Sequence, residues 1–297
     1  MDPFPKGLCC TLLPPKGEGE HKRNYSSSQE NIPIISDHVP THKKPVRDEE
    51  FGSYLAGLIE GDGYICLVGS PNFTISFHVN DAPLAYYIKK RVGFGTVSKV
   101  KDKNALIYRA NKSGTIKIAQ LINGKLRTDK IASFNSVLNH INKKLETPLE
   151  IKEKDQSSLR RSYWLAGFTD ADGSFQIKAI CRKDRKQGYE IRLKLQIDQK
   201  TKFILDQIKE EFGGYLGNRK PQDTWYYETT SFGSAKKVIN YFDYYHLLSS
   251  KHINYLKWRK VYRIVQRKEH ITKKGIESIL KIKSTMNSYS KEYLNYK

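Results

Sequence analysis

The chain has 297 residues, with 52 Lys and Arg against 31 Asp and Glu, a formal charge of +21 at pH 7. That excess points to a polyanionic partner, nucleic acid before membrane, since no apolar run is long enough to span a bilayer and no lipidation signal is present. The length suits about two domains with real cores, and the 4 cysteines (Cys9, Cys10, Cys66, Cys181) show neither C-x-x-C spacing nor a histidine at zinc spacing, so neither a metal finger nor a disulfide framework is supported.

Residues 1–46 read as a flexible tail or the remnant of an upstream reading frame. Pro3, Pro5, Pro14, Pro15, Pro33, Pro40 and Pro45 fall there, with Ser26-Ser27-Ser28, and no helical or strand period emerges, so the segment lacks the apolar surface to order itself. It has neither the apolar core of a signal peptide nor the arginine content of a transit peptide. Across the chain Lys, Asn, Ile and Tyr are abundant while Met and Trp are few, a bias that AT-rich coding DNA produces. An organellar, mitochondrial gene is the expected source.

A first unit is expected over residues 47–146. Phe51, Tyr54, Leu55, Leu58 and Ile59 keep the spacing of one apolar helical face, and Asp48, Glu49 and Glu50 sit in the first turn, where the helix dipole favours acids. This helix ends at Asp62, with Gly63 as its stop. A hairpin follows, Tyr64–Gly69 and Phe73–Val79, turning at Ser70-Pro71-Asn72. Then come a helix Asp81–Arg91, strands Thr96–Lys101 and Ala105–Ala110, and helices Thr115–Ile122 and Asp129–Leu145. Residues 147–156 form a linker.

The second unit, residues 157–297, repeats the order. A helix capped by Ser157 or Ser158 runs through Tyr163, Leu165 and Phe168 to Asp172, with Gly173 as stop. Strands Ser174–Arg182 and Tyr189–Ile197, helix Lys202–Phe212, strands Tyr215–Arg219 and Trp225–Thr230, helix Ser234–Tyr244 and helices from His252 and Lys273 complete it. The nine residues from Leu55 to Gly63 match those from Leu165 to Gly173, and such an internal repeat means one structural unit built twice. Gly57 with Gly61, and Gly167 with Ala171, place small residues four apart on one helical face, so the two helices can pack with their backbones close. Packing of that kind brings Asp62 and Asp172 together, and adjacent carboxylates repel unless a cation or a shared proton intervenes.

Both nine-residue stretches, with Glu60, Gly61 and Ala171 as mild variants, resemble the motif of the LAGLIDADG homing endonucleases, specifically the single-chain members with two motifs. The resemblance covers roughly Asp48 to the C-terminus. It implies an α+β fold of two pseudo-symmetric αββαββα units with antiparallel sheets, packed through the two motif helices. It also implies a monomer that makes a staggered double-strand break with 3′ overhangs across the minor groove of a long double-stranded DNA target, for intron homing. The family's roles fall on Asp62 and Asp172 as ligands of Mg²⁺ or a similar divalent cation, with the backbone carbonyls of Gly61 and Ala171 beside them. Gln199 and Lys251, and in the first unit Asp81 and Lys130, take the places of the family's polar and basic active-site residues. Members of the family also act as maturases, so intron RNA, in assisted group I splicing, is the alternative partner.

The hairpins give a separate argument. Ser174, Gln176, Lys178 and Arg182 alternate with Phe175, Ile177 and Ala179, and Glu190, Arg192, Lys194 and Gln196 alternate with Ile191, Leu193, Leu195 and Ile197. A period of two leaves one face on the core and one open, and side chains of this kind read base edges in the major groove, which admits a β-ribbon. The corresponding residues of the first unit, Tyr64, Cys66, Val68, Asn72, Thr74, Ser76 and His78, are less charged. The two halves should therefore read different sequences and the target should be asymmetric.

Overall fold

The computed structural model describes residues 34–67 and 69–286. Helix α1 spans Asp48–Asp62. The Glu50 carboxylate reaches back to the N–H groups of Val46 (3.0 Å) and Arg47 (3.4 Å) and pairs with the Arg47 guanidinium (2.8 Å), so this first-turn acid satisfies amides that no intrahelical carbonyl can reach. The first repeat continues with β1 (Gly63–Cys66), β2 (Asn72–His78), α2 (Ala82–Val92), β3 (Thr96–Lys99), β4 (Ala105–Arg109), α3 (Lys112–Ile122) and α4 (Lys130–Asn142). The second runs α5 (Trp164–Asp172), β5 (Gly173–Cys181), β6 (Tyr189–Gln199), α6 (Phe203–Phe212), β7 (Tyr215–Arg219), β8 (Thr224–Glu228), α7 (Phe232–Phe242) and α8 (Lys251–Gln266), followed by α9 (Lys273–Ser284).

The strands form two antiparallel four-stranded sheets with matching orders, β1-β2-β4-β3 and β5-β6-β8-β7. The α+β architecture of two pseudo-symmetric units is thus present; among the described residues the first has one helix and the second two beyond the αββαββα core. Alternate strand residues face the helices: Phe73, Ile75, Phe77 and Tyr108 in one sheet, and Phe175, Ile177, Leu193, Leu195 and Tyr227 in the other, are buried. Phe175 shows how tightly, with ring centroids 5.5 Å from both Tyr255 and Trp258 of α8. The predicted linker is pinned to the first repeat, Asp155 N–H donating to Leu126 O (2.8 Å) and Asn123 Nδ2 to Glu150 O (2.6 Å).

Helices α1 and α5 meet backbone to backbone. A Cβ added to Gly57 would lie 2.0 Å from the Trp164 carbonyl oxygen, and one added to Gly167 would lie 1.9 Å from that of Tyr54. Trp164 precedes Gly167 by the three residues that separate Tyr54 from Gly57, so the contact is reciprocal. Ordinary contact begins at 3.4 Å, and only glycine allows this approach.

Two expectations are corrected, the cap of α5 and the tail, while Gly63 and Gly173 stand as the stops of α1 and α5. Helix α5 starts at Trp164, not after a Ser157 or Ser158 cap: the Ser158 hydroxyl accepts from Arg160 N–H in a separate 3₁₀ turn, Leu159–Arg161. Gly63 and Gly173 end their helices in extended conformation (φ −81° and −82°), so their role is spatial, a Cβ at Gly63 falling 2.6 Å from Ile59 Cα. Residues 35–46, expected in the flexible tail, lie instead against the folded repeats, mostly the second, with Pro45 held by α2 of the first. Ile35 is buried, its N–H and C=O clamped by the Gln266 amide (3.1 and 3.0 Å). Arg259 Nη2 donates to Ser36 O (3.1 Å) and His38 O (3.0 Å), His42 Nε2 bonds Leu247 O (2.8 Å), and Tyr87 donates to Pro45 O (3.1 Å). Contacts this distant in sequence leave no local period to read. The rest of that expectation, residues 1–33, lies outside the described residues.

Candidate active site

Asp62 and Asp172 end α1 and α5, and the small residues before them bring those ends together. A Cβ on Gly61 would sit 2.2 Å from Ala171 Cβ and 3.0 Å from Asp172 Oδ2. Burial raises the pKa of both acids, and the charge of Asp62 raises Asp172 further, while Lys130 and Lys251 oppose the shift. These are the signs expected of two carboxylates crowded at one place beside two cations.

Lys130 and Lys251 begin α4 and α8, and both ammonium groups reach carbonyls at the end of a motif helix, where the dipole favours a cation. Lys130 Nζ donates to Ile59 O (3.0 Å), Gly61 O (3.0 Å) and Gly63 O (2.8 Å). Lys251 Nζ donates to the matching Ala171 O (2.5 Å) and Thr169 O (3.3 Å). Burial lowers both lysine pKa values against the pull of the nearby acids.

Gln199, the last residue of β6, donates from Nε2 to Asp172 Oδ2 (2.6 Å). Asp81 is not its equivalent. An ionised carboxylate has no proton to donate to Asp62; Asp81 Oδ1 instead accepts from the N–H of Ser250 (2.7 Å), the cap of α8 in the other repeat, and its charge raises the pKa of Asp62. The six predicted catalytic residues therefore assemble around the paired helix ends, with Asp81 alone in a different contact.

The polar rows start beside these acids. In the second sheet Ser174 lies opposite Gln196, Gln176 opposite Lys194 and Lys178 opposite Arg192, the register that the alternation implies. Arg182 lies beyond the strand, where its guanidinium still meets Glu190 (3.1 Å). Glu190 also holds Arg192 (2.7 Å), and Lys194 pairs with Glu228 (2.5 Å). In the first sheet Tyr64 faces Thr74, Cys66 faces Asn72, and Ser76 and His78 continue the row. Val68 lies outside the described residues. The sheets add residues that the hairpin pattern missed: Arg109 of β4 opposite Thr74, and in the second sheet Asp198 at the end of β6, Tyr226 of β8 and Arg219 of β7, with Arg219 paired to Asp198 (2.6 Å) and 4.8 Å from the Tyr226 ring centroid. Their signal was the same period of two: for Arg109, Tyr226 and Arg219 in five-residue strands too short for it to stand out, and for Asp198 one position past the expected end of β6 at Ile197.

Among the described residues no group of three or more His, Cys, Asp or Glu side chains is placed to hold a metal ion, and no helix is long and apolar enough to cross a membrane. A cation at the acid pair would thus rest on two carboxylates and the Gly61 and Ala171 carbonyls. That all-oxygen donor set suits a hard divalent ion, and each carbonyl has a second lone pair besides the one its lysine uses.

Two crossed glycine-bearing helices ending in paired acids, between two sheets with open polar faces, define a two-motif nuclease fold. The chain belongs to the LAGLIDADG endonuclease family, whose model matches twice, over residues 55–141 and 165–262. It is 48% identical over 272 residues to a Schizosaccharomyces pombe relative described as an uncharacterized cox1 intron-2 37.2 kDa protein, covering 90% of this chain and 80% of the relative. It is 28% identical over 294 residues to the intron-encoded DNA endonuclease aI3 of Saccharomyces cerevisiae, covering 82% and 70%. Its fold is similar to that of I-SmaMI bound to an uncleaved DNA target in the presence of calcium ions, with a TM-score of 0.61 at 21% identity over 80% of this chain and 98% of that one.

Proposed function

We propose that this chain is a monomeric, site-specific DNA endonuclease, encoded in an intron of a mitochondrial gene and acting in that organelle. It makes a staggered double-strand break with 3′ overhangs at a long asymmetric target. The observation that carries the reading is the acid pair: Asp62 and Asp172 meet at the ends of α1 and α5, each beside a lysine on its helix-end carbonyls. The relatives support an endonuclease of intron origin, and the +21 charge fits a nucleic-acid partner.

Asp62 and Asp172, with the Gly61 and Ala171 carbonyls, would hold Mg²⁺ or a similar ion. Such an ion supplies an activated water and stabilises charge at the attacked phosphate. Gln199 fixes the Asp172 carboxylate by its hydrogen bond, so one oxygen keeps a set direction. Lys130 and Lys251 place positive charge where a phosphodiester becomes more negative in the transition state. The outward rows bind the duplex: β5, at nine residues, spans about 30 Å, or roughly nine base pairs. Ser174, Gln176, Lys178, Arg182, Glu190, Arg192, Lys194 and Gln196 contact one half-site. Tyr64, Cys66, Asn72, Thr74, Ser76 and His78 contact the other. These rows differ in charge, so the half-sites differ in sequence.

Selection on randomised duplexes supplies a target, on which Asp62→Asn and Asp172→Asn should each abolish coordinated cutting, as should chelator. Binding should persist, because phosphate contacts elsewhere carry most affinity. Full cutting by the double Asn variant would remove these acids from the chemistry. A chain that cuts no duplex but binds its own intron RNA tightly would transfer the assignment to the maturase role.

A further inference from the structure

Each motif carries an acid that the roles above leave unused. Glu60 and Asp170 stand two residues before Asp62 and Asp172, and both are almost wholly buried, 3% and 5% exposed. Glu60 accepts from the N–H of Arg127 (2.9 Å), the N–H and hydroxyl of Thr128 (2.5 and 2.7 Å) and the indole N–H of Trp164 (2.7 Å). Asp170 accepts from the N–H of Leu248 (2.7 Å), the N–H and hydroxyl of Ser249 (3.3 and 2.5 Å) and the hydroxyl of Tyr54 (2.7 Å).

The two sets correspond residue by residue. Thr128 stands two before Lys130 and Ser249 two before Lys251, and their hydroxyls accept from those lysines' own N–H groups (3.4 and 3.2 Å). Tyr54 and Trp164 hold the same place in the repeat, and each serves the opposite carboxylate. One carboxylate thus ties three parts together: its own motif helix, the segment that starts its lysine's helix, and the facing motif helix. An apolar side chain would fill a buried helical position without the cost of desolvating a charge. A fully donated carboxylate fixes its donors in direction as well as distance, which packing alone does not do.

We infer that Glu60 and Asp170 are positioning residues for Lys130 and Lys251, and that the Trp164 and Tyr54 hydrogen bonds make each lysine's placement depend on the other repeat. The inference rests on the endonuclease reading, and its signature is crosswise. Tyr54 belongs to the first repeat, yet its hydroxyl supports the site of Lys251 in the second.

The test uses the full chain with Mg²⁺ on a selected, end-labelled duplex. Single-turnover rates are measured for each strand, together with affinity for uncut duplex and melting temperature. Lys130→Met and Lys251→Met identify the strand that each lysine serves. Tyr54→Phe and Ser249→Ala should slow the Lys251 strand by roughly tenfold or more, the scale of a small misplacement at a reacting centre. Trp164→Phe and Thr128→Val should slow the Lys130 strand alike. Affinity should stay level in all four variants. Thr128→Val and Ser249→Ala carry the test if either aromatic substitution unfolds the chain. Equal slowing of both strands in step with lost melting temperature, slowing by Tyr54→Phe or Trp164→Phe of the strand served by the lysine of its own repeat, or no slowing each overturns the inference. Such results leave the nuclease reading intact, whereas an unmodified chain that cuts nothing overturns both.

Discussion

The crossing of α1 and α5 offers the sharpest test of the fold, through Gly57→Ala and Gly167→Ala. One methyl at either place would stand 2.0 or 1.9 Å from a carbonyl oxygen of the facing helix, where contact normally begins at 3.4 Å. The obstacle is backbone within a helix and cannot rotate aside, so the helices must separate by about 1.4 Å. Gaps of that size forfeit much of the dispersion attraction along the seam. Overpacking ordinarily costs about 1–3 kcal/mol, and a rigid obstacle belongs at the upper end, about 3 kcal/mol. At roughly 2–4 °C per kcal/mol for a chain of this size, each variant should melt about 6–12 °C lower. Gly233→Ala is the control, since its Cβ meets nothing nearer than the Ser231 hydroxyl at 3.8 Å and alanine is the better helix former. Thermal melts of the three variants against the parent decide it. If Gly57→Ala melts within about 2 °C of the parent, the helices do not cross where the reasoning puts them.

Removing residues 1–46 should lower the melting temperature by roughly 4–8 °C, because it strips Ile35 from the core and two carbonyls from Arg259; an unchanged melt would show that the docked segment adds nothing. His252, against His42 and His246 (ring centroids 4.5 and 5.7 Å), is lowered by burial and those neighbours from 6.5 to about 4. With the folded value below the unfolded one, its contribution is complete above pH 6.5 and is lost as pH falls toward 4, at most about 3 kcal/mol. Urea unfolding across that window should show a flatter pH dependence for His252→Asn, and an unchanged slope would refute the assignment. Arg192→Ala should relax preference roughly tenfold at one or two base pairs in a cleavage profile over single-base-pair variants. A uniform loss across all positions would count against direct readout by β6.

Much of the fold was legible because two periods were clean. The 3.6-residue face of Phe51, Tyr54, Leu55, Leu58 and Ile59 and the two-residue alternation of β5 and β6 each marked one buried side. The motif repeat then showed which helices pair, since small residues four apart have one geometric use. The docking of residues 35–46 was not legible, because Arg259, Gln266 and Leu247 hold it from more than 200 positions away. The start of α5 at Trp164 was missed for a related reason. Ser157 and Ser158 both qualify as caps by composition, yet α5 starts after Tyr163 with no side-chain cap, where Trp164 is buried against the facing helix. The roles of Glu60 and Asp170 were written in the motif without being readable there. An acid inside an apolar helical face signals a buried partner, but its donors come from Thr128, Ser249 and the opposite helix.

The two repeats share a frame but not a chemistry, and the difference follows from a few side chains. Gln199 can donate to Asp172 and does, whereas Asp81 in the first repeat can only add negative charge near Asp62 and turns its carboxylate to the α8 cap. That choice spares a carboxylate–carboxylate contact and creates another tie between the repeats. The same inequality runs out along the strands. In the second sheet Glu190 and Glu228 hold Arg192 and Lys194 in set directions, so ordering those side chains on a ligand costs less conformational entropy. The first sheet offers shorter and mostly uncharged groups, Thr74, Ser76 and Asn72 among them, which suit contacts through shape, methyl groups and water. A duplicated unit whose closely crossed helices keep the two acids together leaves its outer faces free to diverge, and that divergence is what the proposed asymmetric target requires of one chain where a symmetric pair would not serve.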